Sequence, residues 1–363
     1  MAPDSQPTAE ATLRQGSHMI RRFWKYGLLF RFFGFFFIEG FQDRSLRRAK
    51  VKFLTPYILC ATAWFTCGIG FEAAYLGGRT FLKSNSVRSY TKSLLFIVHS
   101  SVAVKCFFNI LCLAVGTSKL LEFFRESAAY ERSICYVPLV DAHSRKQKLL
   151  GAARSTLGLV VFGACYAVTT DSYVTHIVGD YGEEWRVVMT IWANLSMASF
   201  FVYDSLLHII LTRTSDVLAD YLHCQVMAFS TVLEKATHRQ CDPEASLRVQ
   251  EIRVHVSEIR RLVRFINNIW HSALVASAAS LTFLLCVTFY ALLNDGLAQR
   301  AVRVAFSYSL FCLYQFIDIV AVSQTLVDEV RHFTYSLRYS FLDLEVKTTN
   351  NFKFDRCLFQ LVT

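Results

Sequence analysis

Residues 245–295 read ASLRVQEIRVHVSEIRRLVRFINNIWHSALVASAASLTFLLCVTFYALLND, and the class of the whole chain turns on them. In the first half, Ala245, Val249, Ile252, Val256, Ile259, Val263 and Ile266 follow alternating steps of four and three. Glu251, Arg253, Glu258, Arg260, Arg261 and Arg264 fill the remaining positions. That spacing lays one apolar seam along a helix. Beyond Ile266 charge all but stops through Leu293, and the run becomes long and apolar enough to cross a bilayer. A helix that leaves a membrane and continues as an amphipathic stalk has this pattern.

On either side of this stretch, helix breakers are nearly absent. Between Glu183 and Thr363 there is one proline, Pro243, and one glycine, Gly296, which divide the sequence into runs 183–242, 244–295 and 297–363. Each is far longer than the roughly 8–20 residues of a globular helix. The first run carries a stripe of Leu218, Leu222, Val226, Phe229 and Leu233, and the third one of Val330, Phe333, Leu337, Phe341 and Leu344. Three long helices are therefore expected, with stalks sharing one bundle. Val and Ile at both seam positions (Val249, Ile252, Val256, Ile259, Val263, Ile266) suit a parallel trimer or tetramer of chains. Packing against neighbouring stalks of the same chain is the alternative.

Composition agrees: 53% of the 363 residues are hydrophobic, 18% are charged, and Phe alone counts 32. A soluble chain shows about a quarter charged residues. The expected fold is an all-α, polytopic membrane helix bundle with six spans, at 53–76, 93–116, 155–179, 187–211, 267–293 and 302–327. Residues 1–52 form an N-terminal segment with an interfacial helix, too short and too charged to span. Spans one to four occupy 53–211, stalks 212–266, spans five and six 267–327, and a further extension 328–363. Residues 117–154 are a polar, basic connection, helical in parts. The first 17 residues have no apolar core, so no cleavable signal peptide is expected.

Lys and Arg total 30 in 1–52, 117–154, 212–266 and 328–363, against 7 in 77–92, 180–186 and 294–303. That asymmetry places the N-terminus and the stalks in the cytoplasm. The net charge of +10 then reads as basic loops against anionic membrane lipid, with no nucleic-acid partner. Seven of the eleven cysteines fall inside apolar spans and none forms a Cys-x-x-Cys pair, so buried free thiols are expected.

Three segments add a family resemblance. Val327-Asp328-Glu329-Val330-Arg331 follows span six, FKFDRCLFQLVT occupies 352–363, and RFFGFFF at 31–37 precedes span one. Together with six spans, a cytoplasmic N-terminus and long extensions of spans four to six, they resemble the arthropod (insect-type) gustatory receptors. Residues 327–331 are similar to that family's charged patch, 352–363 to its linker into a seventh helix, and 31–37 to the short apolar segment before its first helix. The resemblance covers most of the chain. It implies a chemoreceptor of the cell membrane, a subunit of a ligand-gated cation channel that senses a small-molecule tastant and assembles as a homo- or hetero-oligomer, a tetramer. In that family seventh helices line the ion pathway and carry a Thr-Tyr pair, an apolar run and Gln-Phe. The sequence reaches Thr363 where that helix would begin, so the resemblance implies either a sequence cut short of its pore element or a receptor that lacks one.

Two sets of residues are candidates for chemistry. Glu72, Lys105, Asp171, Asp204 and Asp318 are ionisable inside spans, where each charge costs about 2.5–3.5 kcal/mol. They line a polar cavity or pair structurally between helices. The second set lies in the outer halves of spans three to six: Tyr166, Thr170, Asp171, Tyr173, Trp192, Phe283, Tyr290, Tyr308 and Gln315. Aromatic walls with a few oriented polar groups suit a small ligand, although aromatics at helical spacing also serve as packing.

Enzymatic motifs are missing from the sequence. There is no Gly-x-Gly-x-x-Gly, no phosphate loop and no His-Glu-x-x-His, and the ten histidines are dispersed. Neither a catalytic residue, a cofactor nor a metal site is expected. Two other membrane classes compete with the receptor-channel. A G-protein-coupled heptahelical receptor places its N-terminus outside, against the base count. A transporter is built from repeats with helices broken at mid-membrane, and the last 180 residues show neither. A scaffold role for the stalks is a further possibility.

Overall fold

A computed structural model of the chain describes residues 17–33, 37–41, 46, 48–77, 90–136, 142–181, 183–238 and 243–348. Helices dominate them. In order they are α1 (His18–Phe32), α2 (Pro56–Gly77), α3 (Tyr90–Ser133), α4 (Ala142–Tyr181), α5 (Arg186–His238), α6 (Pro243–Asp295) and α7 (Arg300–Thr348). A 3₁₀ turn, Glu183–Trp185, leads into α5. Between α1 and α2 a two-stranded antiparallel ribbon pairs β1 (Ile38–Glu39) with β2 (Lys50–Val51). The terminal segments 1–16 and 349–363, including FKFDRCLFQLVT, lie outside the described residues, as do residues 34–36 of RFFGFFF and the side chain of Glu72.

The helix limits follow local chemistry. Pro56 and Pro243 open α2 and α6, the position where a missing N–H costs nothing. Gly296 closes α6 with φ +67° while its N–H reaches Leu292 O at 3.1 Å, a conformation other side chains rarely adopt. α3 ends with Cys135 in the left-handed region (φ 46°). The Tyr136 N–H bonds Glu131 O at 2.9 Å and the Cys135 N–H bonds Arg132 O at 3.3 Å, the paired bonds of a Schellman cap. The connection expected over 117–154 is thus largely helical. Residues 117–133 extend α3 because Leu120, Leu121, Phe123, Phe124 and Tyr130 give them a buried face.

Among the described residues five helices are long and apolar enough to cross a membrane: Phe96–Ser133, Gly151–Thr175, Glu183–Glu234, Leu247–Asp295 and Arg300–Arg331. α2 adds a shorter apolar helix over Pro56–Phe71. The chain is an all-α bundle of the multi-pass membrane type. The uninterrupted runs read from the sequence appear as helices of 53, 53 and 49 residues.

The chain divides into two compact units. The first runs up to Thr214 and takes in Leu262–Val320; the second holds Ser215–Arg261 and resumes at Ala321. In the first, Leu94 and Val98 of α3, Cys165 of α4, Phe201 of α5, Leu281 and Leu284 of α6 and Tyr308 and Phe311 of α7 form one core. Cross-helix polar bonds join them, among them Thr288 with Ser309 (2.8 Å between hydroxyls) and Trp64 Nε1 donating to Ser199 Oγ (3.2 Å).

Within this unit α1 is held at its N-terminus and along one face. The Glu131 carboxylate of α3 accepts the backbone N–H groups of His18 (2.6 Å) and Met19 (2.9 Å), two of the four donors that a helix start leaves unpaired. Phe23 and Phe41 both meet Phe124 edge-on, at 5.1 and 5.2 Å between centroids. Met19, Ile20, Phe23 and Phe30 are buried, each contributing about 1.5–3 kcal/mol against leaving it in water.

In the second unit the α5 stripe behaves as its spacing predicts. Leu218, Leu222, Val226 and Phe229 are buried and Leu233 is half-buried. Phe229 meets Phe333 of α7 at 5.7 Å, and His223 Nδ1 lies 3.6 Å from Glu329 Oε2. Val330 is half-buried; the side chains of Leu337, Phe341, Leu344 and Ala245 lie outside the described residues. Along the α6 seam Ile252, Val256, Ile259 and Ile266 are buried within the single chain, and Val249 and Val263 are half-buried. Covering the seam therefore requires no second copy.

Candidate functional site

The intramembrane charges assemble first. Lys105 of α3 extends its ammonium to 2.7 Å from Asp204 Oδ1 of α5, with side chains 9% and 0% exposed. Gln315 of α7 completes a bridge: its Oε1 accepts from Lys105 Nζ at 3.3 Å and its Nε2 donates to Ser205 Oγ at 3.0 Å. The Cys312 sulfur lies 3.6 Å from the same ammonium. Asn109, one turn beyond Lys105, donates to Tyr203 O and Asp204 O, both at 3.1 Å, and so fixes α3 against the backbone of α5. Two charges that would each be costly in hydrocarbon are held as a neutral, hydrogen-bonded pair.

A second cluster joins α4 to α5 and α7. Asp318 of α7 faces Arg154 Nε of α4 (2.8 Å) through Oδ1 and His208 Nε2 of α5 (2.8 Å) through Oδ2. Tyr314 donates its hydroxyl to Arg154 O at 2.8 Å. Its ring crosses α4 at Gly158, where an added Cβ would stand 2.6 Å from the Tyr314 oxygen, so the close approach needs glycine.

Beside the first pair a cavity of about 280 Å³ opens among α2, α3, α4, α5 and α7. Phe96, Val102, Met197, Phe200, Phe201 and Val304 give it apolar walls, and His99, Thr169, Asp204 and Tyr308 are its principal polar neighbours. Of these, His99 stacks on Tyr173 at 6.2 Å and Thr169 Oγ1 lies 3.9 Å from Cys165 Sγ. Asp204 Oδ2 is buried without a hydrogen-bond partner among the described residues. A second cavity of about 280 Å³ lies between α3 and α6 and is lined by Lys105, Asn109, Ser277, Ser280 and Phe283. The Lys105–Asp204 pair therefore stands between the two, with one partner in each wall.

The residues proposed from the sequence are dispersed among these features. Tyr308 lines the first cavity, Phe283 the second, and Gln315 bridges the ion pair. Tyr166 donates to Asn194 Oδ1 at 2.9 Å and packs among Phe162 and Phe201. Trp192 meets Trp64 at 4.9 Å and Phe71 at 5.5 Å, and neither Tyr166 nor Trp192 lines either of these two cavities. Thr170 and Tyr173 are buried in packing, while Asp171 and Tyr290 are exposed on the bundle surface. His99, Thr169, Met197 and Phe200 escaped the sequence reading, as did His208. For His208 a signal existed: it lies four residues after Asp204, on one helix face with it.

Among the described residues no group of three His, Cys, Asp or Glu is placed to hold a metal ion, and the nine described cysteines are free. No protein-family model matches the chain, and no curated protein matches it.

Proposed function

We propose that the chain is a small-molecule receptor of the multi-pass membrane type, a gustatory-type chemoreceptor subunit of a ligand-gated cation channel, with the apolar cavity as its ligand site. The observation that carries the reading is that cavity: about 280 Å³, walled by aromatics and aliphatics, with a buried carboxylate at its edge. Pockets of this makeup are where small ligands bind. The resemblance to arthropod gustatory receptors in 31–37, 327–331 and 352–363 supports the receptor class, the tetrameric assembly and the cell-membrane location. The base asymmetry supports six spans with a cytoplasmic N-terminus.

Expression in oocytes tests it. Perfusion with a panel of apolar small molecules should evoke cation current when the chain is joined to the seventh helix that lines the pore in the family it resembles, and Val304→Trp, which fills the cavity from one wall, should abolish the response. Tags at residues 10 and 240 should need permeabilisation for antibody access, and a tag at 82 should not. A transporter is the second reading, favoured by the Arg154–Asp318–His208 cluster, since linked acids and histidines also serve as proton relays. Accumulation of a labelled compound against its gradient, without gated current, would select it.

A further inference from the structure

The first cavity combines two properties that rarely coincide. Its walls are almost wholly apolar, yet Asp204, 1% exposed, presents a carboxylate there. Lys105, 2.7 Å from Oδ1, already balances the negative charge, while Oδ2 has no hydrogen-bond partner among the described residues. A buried carboxylate oxygen has acceptor capacity, and leaving it unused carries a desolvation penalty. The site thus offers acceptance without net charge. A cationic amine would bring a second positive charge beside Lys105. An anion would face Asp204 across a medium of low dielectric.

We infer, on the basis of the receptor reading above, that the ligand is an uncharged, largely apolar molecule with a hydroxyl or N–H donor, and that Asp204 Oδ2 accepts that donor. Phenols and small cyclic or branched alcohols are the matching chemistry. The volume of about 280 Å³ lies at the small end for ligand pockets, so one ring with short substituents fills it. Lys105 acts as a positioning residue: its ammonium holds Oδ1 at 2.7 Å and so turns the carboxylate to leave Oδ2 open.

The test titrates the full chain in lipid nanodiscs by calorimetry, with empty nanodiscs subtracted for partitioning. Four probes share one scaffold: 4-ethylphenol, 4-ethylanisole, 4-ethylbenzylamine and 4-ethylbenzoate. The phenol should bind on the order of tenfold to a hundredfold tighter than its methyl ether, the range for a hydrogen bond to a charged group. The amine and the acid should bind more weakly than the phenol. Lys105→Met/Asp204→Leu removes both charges and keeps the apolar walls, so phenol and ether should then bind alike. Val304→Trp should remove binding of both. Equal affinity for phenol and ether in the unchanged chain, or tightest binding by the amine, overturns the ligand class and leaves the cavity as the site. Phenol binding that survives Val304→Trp, or no binding by any probe, overturns the receptor reading of the cavity as well.

Discussion

Removing one member of the Lys105–Asp204 pair should harm the protein far more than removing both. At 2.7 Å the attraction is about 6 kcal/mol for an effective dielectric near 20. Against it stands a desolvation penalty of several kcal/mol for each ion, so the intact pair nets close to zero. Lys105→Met leaves Asp204, 1% exposed, without its counter-charge and should cost about 3–5 kcal/mol. Gln315 and Cys312 lose a donor at the same time. Lys105→Met/Asp204→Leu replaces two ions with apolar groups of similar size and should return to within about 1 kcal/mol of the unchanged chain, or exceed it. For a chain of this length each kcal/mol corresponds to about 2 °C, so the single variant should melt roughly 6–10 °C lower. Heating in detergent followed by fluorescence-detected size exclusion resolves that difference. A Lys105→Met protein within about 2 °C of the original would refute the burial of the pair. A double variant whose loss equals the sum of the two singles would refute their coupling.

Three further outcomes are expected. Glu131→Gln weakens the acceptor for the His18 and Met19 N–H groups and should raise amide exchange across α1 by an amount corresponding to about 1 kcal/mol, leaving α4 to α7 unchanged. Gly158→Val drives a branched side chain against Tyr314 and should destabilise by about 1–3 kcal/mol, with Tyr314→Ala in the same chain restoring most of the loss in the melting assay. The Lys52 ammonium, hydrogen-bonded to Glu39, holds that carboxyl below its usual 4.5, so the stability it lends to the β1–β2 ribbon is present above pH 4.5 and is lost as pH falls through the lowered value. Ribbon exchange protection should follow that acid limb, and Lys52→Met should flatten it.

The long helices were legible because their signals are local. Pro243 and Gly296 mark ends, and periodic Leu, Val and Ile mark faces, whatever lies opposite. The α6 seam shows where this stops. Its spacing announces a partner for Ile252, Val256 and Ile259 but not whose, and the structure covers it within one chain. The site was less legible still. Lys105, Asp204 and Asp318 stood out because charge in an apolar run is conspicuous, but pairing Lys105 with Asp204, and Asp318 with Arg154, depends on which helices adjoin. Phe96, Phe200 and Phe201 line the cavity with a residue type found in every span of this chain, so composition could not separate wall from packing. Trp192 shows the converse: a conspicuous side chain that belongs to a Trp64–Phe71 cluster.

The cap on α1 sets an order of events at the ribosome. His18 comes out of the exit tunnel early, yet the carboxylate that receives its N–H belongs to Glu131, 113 residues later. At roughly 5–20 residues per second, synthesis reaches that residue on the order of ten seconds after the helix it completes. Through that interval the segment holds an amphipathic sequence with Arg21, Arg22 and Arg31 and an uncovered row of Met19, Ile20, Phe23 and Phe30. A segment of that composition is suited to the surface of an anionic bilayer. If α1 waits there for its protein partner, a delay in translation between residues 32 and 131 lengthens that wait without changing a single residue of the finished chain.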